Sequence, residues 1–130
     1  MQNLSISIVV FDLDRTLLKR CLDSLTVAIA DAKEENLLQN ALLTLLDNAT
    51  NRPAIQLALD ELELPLYVEP KLVSGHGNVG YGAAHNLAIM TSDNMFHLIL
   101  NPDVILAKTS LTEILRFTLN HPEVCMIAPH

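Results

Sequence analysis

Apolar residues fall along the chain in short runs that alternate with helical stripes. Ser5 to Phe11 carries Ile6, Ile8, Val9 and Val10 almost without interruption, the pattern of a strand covered on both faces. It ends at Asp12, and Asp14 stands where it can cap a helix whose apolar positions Leu18, Cys21, Leu22, Leu25 and Ile29 recur every three or four residues. Ala41 to Leu46 is a second apolar run and ends on Asp47-Asn48. Pro53 near a helix start, with Ile55, Leu59 and Leu62 on one stripe, predicts a second helix to about Glu63. A third strand follows from Leu66 to Val73, in which Pro70 predicts a bulge or a break. Ser74 to Gly82 then holds all 4 glycines of the protein, and Ala83, Ala84, Leu87 and Ala88 open a helix of small residues. Phe96 and Leu98 to Leu100 predict the central strand, which runs straight into the stiff polar turn Asn101-Pro102-Asp103. Ser110 and Glu113 form a capping-box pattern ahead of Leu111, Ile114, Leu115 and Leu119, His121-Pro122 stops that helix, and Val124 to Ile127 predicts a last short strand.

Strand and helix in strict alternation, with short connections, argue for a mainly parallel sheet in a three-layer α/β domain. The 130 residues suit one domain spanning 1–130. Half of the residues are hydrophobic and only 4% are aromatic, so the core is expected to be aliphatic and the chain lacks a platform for stacking bases of single-stranded RNA. A formal charge of −7 offers no basic field to a polyanion, which argues against nucleic acid as a partner. Cys21 and Cys125 lie on separate predicted elements without metal-ligand spacing, so both are expected to be small buried hydrophobes in a reducing cytoplasm. The five histidines, His76, His85, His97, His121 and His130, show no metal-binding spacing and are expected to be ordinary loop and helix polar groups. The first apolar run is interrupted by Asp12 and Asp14, which is not the pattern of a secretion signal, and no run approaches the roughly 20 apolar residues of a membrane span.

Three local patterns carry chemistry. Asp12-Leu13-Asp14-Arg15-Thr16 fits the D-x-D-x-T signature of haloacid dehalogenase-like phosphatases, in which the first aspartate attacks phosphorus and the second protonates the leaving group. Arg15 occupies the place where glycine is usual, and no later lysine and acidic pair completes that set. Gly75-x-Gly77-x-x-Gly80 fits the dinucleotide fingerprint, but it follows the third strand where that fingerprint normally follows the first. The third pattern uses the strand ends together: Asp12, Asp47, the glycine loop and Asp103 all project toward the carboxyl edge of one parallel sheet, where open α/β folds bind ligands.

The succession Ile6 to Arg15, Cys21-Leu22-Asp23-Ser24-Leu25, Leu46-Asp47-Asn48-Ala49-Thr50, Gly77 to Asn86 and Leu100-Asn101-Pro102-Asp103 resembles family 2 glycosyltransferases, especially the rhamnosyltransferase-like branch. The resemblance covers essentially the whole chain in order. It implies a GT-A fold and transfer of a sugar from a nucleotide-diphosphate donor, linked to dTDP, UDP or GDP, to a saccharide or lipid-linked acceptor. It places Phe11 and Asp12 in the first nucleotide-binding loop and Asp47 at the base or ribose. Asn78, Gly80, Gly82 and Asn86 fall in its donor loop, and Asn101-Pro102-Asp103 at the D-x-D position. Asp103 is then the metal residue for Mg²⁺ or Mn²⁺. Asp12 stands where the family often has Asn, and Asn101 replaces the first aspartate of D-x-D.

Members of that family continue into an acceptor-binding half that carries the catalytic base, so the resemblance implies a donor-binding half and assigns no base within 1–130. It implies work at the cytoplasmic face of a membrane in cell-surface polysaccharide or glycolipid assembly, with peripheral membrane association and self-association through an exposed apolar face as further expectations. The competing readings are the phosphatase using Asp12 and Asp14, and a non-catalytic remnant that keeps the fold.

Overall fold

The computed structural model describes residues 2–128. Eight elements alternate: β1 (Gln2–Val10), α1 (Arg15–Glu34), β2 (Leu38–Asp47), α2 (Arg52–Asp60), β3 (Val68–Val73), α3 (Tyr81–Ile89), β4 (Phe96–Leu100) and α4 (Ser110–Asn120). The four strands form one parallel sheet in the order β3-β2-β1-β4. β1 and β2 are therefore interior and β4 is an edge among the described residues, so the strand expected at the centre lies at the rim and β1 takes its place.

Side chains alternate across each strand, and the two faces carry different helices. Leu4, Ile6, Ile8 and Val10 of β1 join Leu43 and Leu45 of β2 against Leu18, Leu22, Leu25 and Ile29 of α1, Ile55 and Leu59 of α2, and Leu111 and Leu115 of α4. On the opposite face Val9 and Leu46 meet only Ala84 and Ala88 of α3, with Val73 beside them. The change of face follows from topology. The chain steps from β1 to β2 to β3 in one direction and then returns past β1 to β4, and a right-handed crossover moves its helix to the other side when the direction reverses. The point of reversal lies between β1 and β4, and their carboxyl ends diverge there into a crevice.

Several local expectations are corrected. Pro70 breaks nothing: it pairs with Leu43 in an uninterrupted ladder, because β3 is an edge strand and a missing N–H on its free side costs no bond. α4 starts after Thr109 without a side-chain cap, since the Ser110 hydroxyl donates to the Ala107 carbonyl and no capping box forms. Leu119, expected on the buried face of α4, is exposed. Val124 to Ile127 forms no strand, and Cys125 is exposed while Cys21 is buried. Asp14 does cap α1, accepting from the Leu17 amide at 3.0 Å.

Candidate functional site

The crevice at the switch point is a cavity of about 350 Å³ lined by Val10 at the end of β1, by Asp12 and Asp14 beyond it and by Asn101, Pro102 and Asp103 after β4, with Leu13, Leu17 and Leu18 as its apolar wall. Hydrophobic β1 stops at Val10 because Asp12 and Asp14 must reach water, and β4 stops because Pro102 cannot extend a ladder. Asp12, Asn101 and Asp103 are exposed and come together here as the sequence led us to expect. The negative charge of Asp103 is felt inside the protein. Burial first, and Asp103 second, push the Cys21 thiol up to about 11, and that thiol lies 3.5 Å from the Asn101 carbonyl oxygen.

The glycine loop closes the neighbouring side of the rim. Gly75, Gly77 and Gly80 have φ of 86°, 71° and 86°, values that side-chain-bearing residues rarely adopt. Asn78 accepts from the Gly80 amide at 3.0 Å and folds the loop back on itself. α3 then begins at Gly80 without a side-chain cap and without an acidic residue in its first turn, which leaves its first amides facing outward as anion donors. Space around all four glycines is open, with no atom within 4 Å of where a Cβ would stand. Gly82 and Asn86 are exposed on the same helix. The Tyr81 hydroxyl donates to Asn101 Oδ1 at 2.6 Å and so joins the glycine loop to the β4 turn.

Asp47 is placed differently from the other expected site residues. It is fully buried, and its carboxylate accepts from the Ala49 amide at 3.0 Å and the Asn51 amide at 2.7 Å. It organises the loop that follows β2, and no part of it faces the cavity. That loop is in turn the tie between rim segments. Asn51 Nδ2 donates to the Phe11 carbonyl at 2.8 Å, and Asn48 Nδ2 to the Gly80 carbonyl at 3.1 Å, while Asn48 Oδ1 lies 2.9 Å from His76 Nε2. Phe11 presents a ring 56% exposed above this tie.

Tyr81, Asn48 and Asn51 were not singled out from the sequence. The run Asn48 to Asn51 after an apolar strand has turn composition, which was the available signal. No comparable signal pointed to Tyr81.

A divalent cation has one free carboxylate at Asp103 and a second nearby at Asp12, and no group of three His, Cys, Asp or Glu side chains among the described residues is arranged to hold an ion. This donor set fits Mg²⁺ or Mn²⁺ held jointly with a phosphate-bearing ligand, because such ions typically take one or two carboxylates and complete their shell with phosphate oxygens and water. No helix among the described residues is long and apolar enough to cross a membrane.

No protein-family model matches the chain, and no curated protein matches it. Among solved structures it is similar to the crystal structure of S. aureus TarS residues 1–349, with a TM-score of 0.71 and 17% sequence identity, over 94% of this chain and 33% of that one. That structure and this chain share an α/β fold. The chain spans about a third of the length of that crystallised chain.

Proposed function

We propose that the chain binds the donor of a glycosyltransferase reaction, a sugar carried on a nucleoside diphosphate, along the carboxyl edge of its sheet. The observation that carries this reading is the junction of three features at one crevice: the acidic cavity between β1 and β4, the uncapped start of α3 and the Tyr81–Asn101 bond that joins them. A diphosphate needs amide donors on one side and a cation on the other, and this rim offers the uncapped amides of α3 and carboxylates that would hold the cation.

In this reading Asp103 would hold Mg²⁺ or Mn²⁺, which would supply neutralisation of the charge that grows on the departing nucleoside diphosphate. The α3 amides and Asn78 receive the phosphate oxygens, and the exposed Phe11 ring lies along the base. Asp12 accepts from ribose or base, and Asn86 and Gly82 border the sugar. Asp47 acts at one remove by fixing the Ala49 and Asn51 amides. Rhamnose as the sugar, a saccharide or lipid-linked acceptor, peripheral attachment to the inner face of a membrane and placement in polysaccharide assembly belong to the same proposal, and support for them is the sequence resemblance alone. The deprotonating base for the acceptor is not assigned within these residues.

Calorimetric titration with UDP, dTDP and GDP, with and without Mn²⁺, tests the proposal. Saturable binding of one of them that needs Mn²⁺ and is weakened at least tenfold by Asp103→Ala is expected. Absence of binding to all three by the folded chain overturns it.

A second reading draws on the same cavity, because Asp12, Asp14 and Asp103 line it together as a phosphoryl-transfer site would require. Release of inorganic phosphate from a phosphomonoester, abolished by Asp12→Asn, would favour that chemistry.

A further inference from the structure

The face of the sheet under α3 is polar where a buried face is normally apolar. Ser5 and Ser7 of β1 point into it, Ser7 wholly buried, and both meet histidines from distant parts of the chain. Ser7 Oγ lies 2.6 Å from His85 Nδ1 on α3 and 2.7 Å from His97 Nε2 on β4. The second nitrogen of His97 lies 2.6 Å from Ser5 Oγ, which also reaches the Phe96 carbonyl at 3.4 Å. The second nitrogen of His85, Nε2, is buried and has no partner among the described residues, and the residue is only 2% exposed.

Counting protons fixes the direction of this chain. Each serine hydroxyl and each neutral imidazole brings one proton. If His85 carries its proton on Nδ1, it donates to Ser7, Ser7 donates to His97 Nε2, His97 Nδ1–H donates to Ser5 and Ser5 donates to the Phe96 carbonyl. Every donor is then used, and the sole unpaired site is a lone pair at His85 Nε2. In the reverse direction His85 must carry its proton on Nε2, where a buried N–H has no acceptor, the costlier of the two defects. An added proton meets the same obstacle wherever it enters. On His85 it sits at Nε2 directly. On His97 it makes Nε2 a donor to Ser7, so that either the Ser7 hydroxyl loses its acceptor or it turns to His85 Nδ1 and moves the His85 proton to Nε2, and in both cases one buried donor is left unpaired.

We propose that His85 is a positioning residue that holds α3, and with it the start of the glycine-loop helix and the Tyr81–Asn101 bond, through this one-directional bridge to β1 and β4, and that an added proton releases α3. The inference rests on the donor-site reading for its consequence, since Gly82 and Asn86 ride on α3, but the bridge itself does not depend on that reading.

The surroundings offer the proton no compensation. On this sheet face β1 contributes Ser5 and Ser7, β2 contributes Thr44 between Leu42 and Leu46, and α3 contributes Tyr81, whose ring packs edge-on against His85 at 4.4 Å. β4 brings His97, and β3 presents Lys71 and Glu69 at the same registers, exposed and two strands away from Ser7 and Ser5. No carboxylate among the described residues hydrogen-bonds either imidazole. Burial, and secondarily His97, hold His85 below the ordinary histidine range, and burial does the same to His97. The closed state therefore binds fewer protons than the open one, and it loses stability as the pH falls from about 6.5 toward the lowered folded-state values.

Amide hydrogen exchange of the ligand-free chain, corrected for the intrinsic pH dependence of exchange, reads the opening of α3 directly. One refused proton predicts about a 30-fold loss of protection over Ala84 to Ile89 between pH 7.5 and pH 5.0, with β2 changed less than threefold. His85→Gln, which cannot be protonated and can still donate to Ser7 through its amide, is expected to reduce the α3 effect below threefold. Long-range nitrogen–proton correlation at pH 7.5 places the His85 proton on Nδ1 in the wild-type protein, so the test survives a variant that does not fold. A proton on Nε2, α3 protection that tracks β2, or undiminished pH dependence in His85→Gln overturns the proposal. Because no nucleotide is present, these results stand apart from success or failure of the nucleoside diphosphate titration.

Discussion

Replacing Asp47 separates a residue that touches a ligand from one that builds the loop around it. Asp47→Ala removes the acceptors of the Ala49 and Asn51 amides, bonded at 3.0 and 2.7 Å to a fully buried carboxylate. Hydrogen bonds to a charged group contribute about 1.5–3 kcal/mol each, so the gross loss is about 3–6 kcal/mol. Two effects offset it. Deleting the carboxylate relieves the cost of burying a charge, and Ala49 and Asn51 are half-exposed, so water reaches the freed amides. The net loss expected is about 2–3 kcal/mol, against about 1–2 kcal/mol for Asp47→Asn, which keeps one acceptor oxygen but turns an NH₂ toward an amide donor. With a urea dependence of about 1–3 kcal/mol per molar, the midpoint for the alanine variant falls by about 0.7–3 M. A midpoint within about 0.3 M of wild type would mean that these amides do not hold the carboxylate, and the structural account of Asp47 would fail.

Two further substitutions address the rim. Gly80→Ala meets no steric contact but must adopt φ 86°, ψ 166°, a region essentially restricted to glycine, and is expected to lose about 1–3 kcal/mol in urea denaturation together with nucleoside diphosphate binding. Asp14→Ala removes the cap on α1 and is expected to lose about 1 kcal/mol in the same assay while leaving nucleoside diphosphate binding intact, whereas an aspartyl-phosphate mechanism would require the Asp14 carboxyl for turnover.

The sheet and its first core were legible because their signals are local. The stripe Leu18, Cys21, Leu22, Leu25 and Ile29 is buried as its spacing requires, and Asp14 caps the helix that carries it. The ends of β1 and β4 announced the cavity, since each apolar run gives way to a short polar segment that carries Asp12 or Asp103. What failed depended on the place of a strand in the sheet, or on which of several nearby backbone groups a polar side chain engages. Pro70 is harmless only because β3 lies at the sheet edge, and the Ser110 and Glu113 pattern is overridden when the Ser110 hydroxyl turns back to Ala107. Asp47 ends an apolar run just as Asp12 does, yet it is fully buried and consumed by the backbone amides that follow it. The Ser7 bridge was invisible for a similar reason. A serine within a strand reads as solvent-facing, and its partners are 78 and 90 residues away.

The most direct test of the donor-edge account is amide chemical-shift mapping of the chain titrated with the preferred nucleoside diphosphate in the presence of Mg²⁺. Two edges of the sheet are available for comparison, because a polar cavity of about 410 Å³ lies at the amino edge and is lined by Asn3, Asn40, Tyr67 and Asp93. The account predicts saturable shifts at Asp12, Asn78 to Gly82 and Asn101 to Asp103, and none around the amino-edge cavity. Shifts confined to Asn3, Asn40, Tyr67 and Asp93, or no saturable shift at the carboxyl edge, would contradict it.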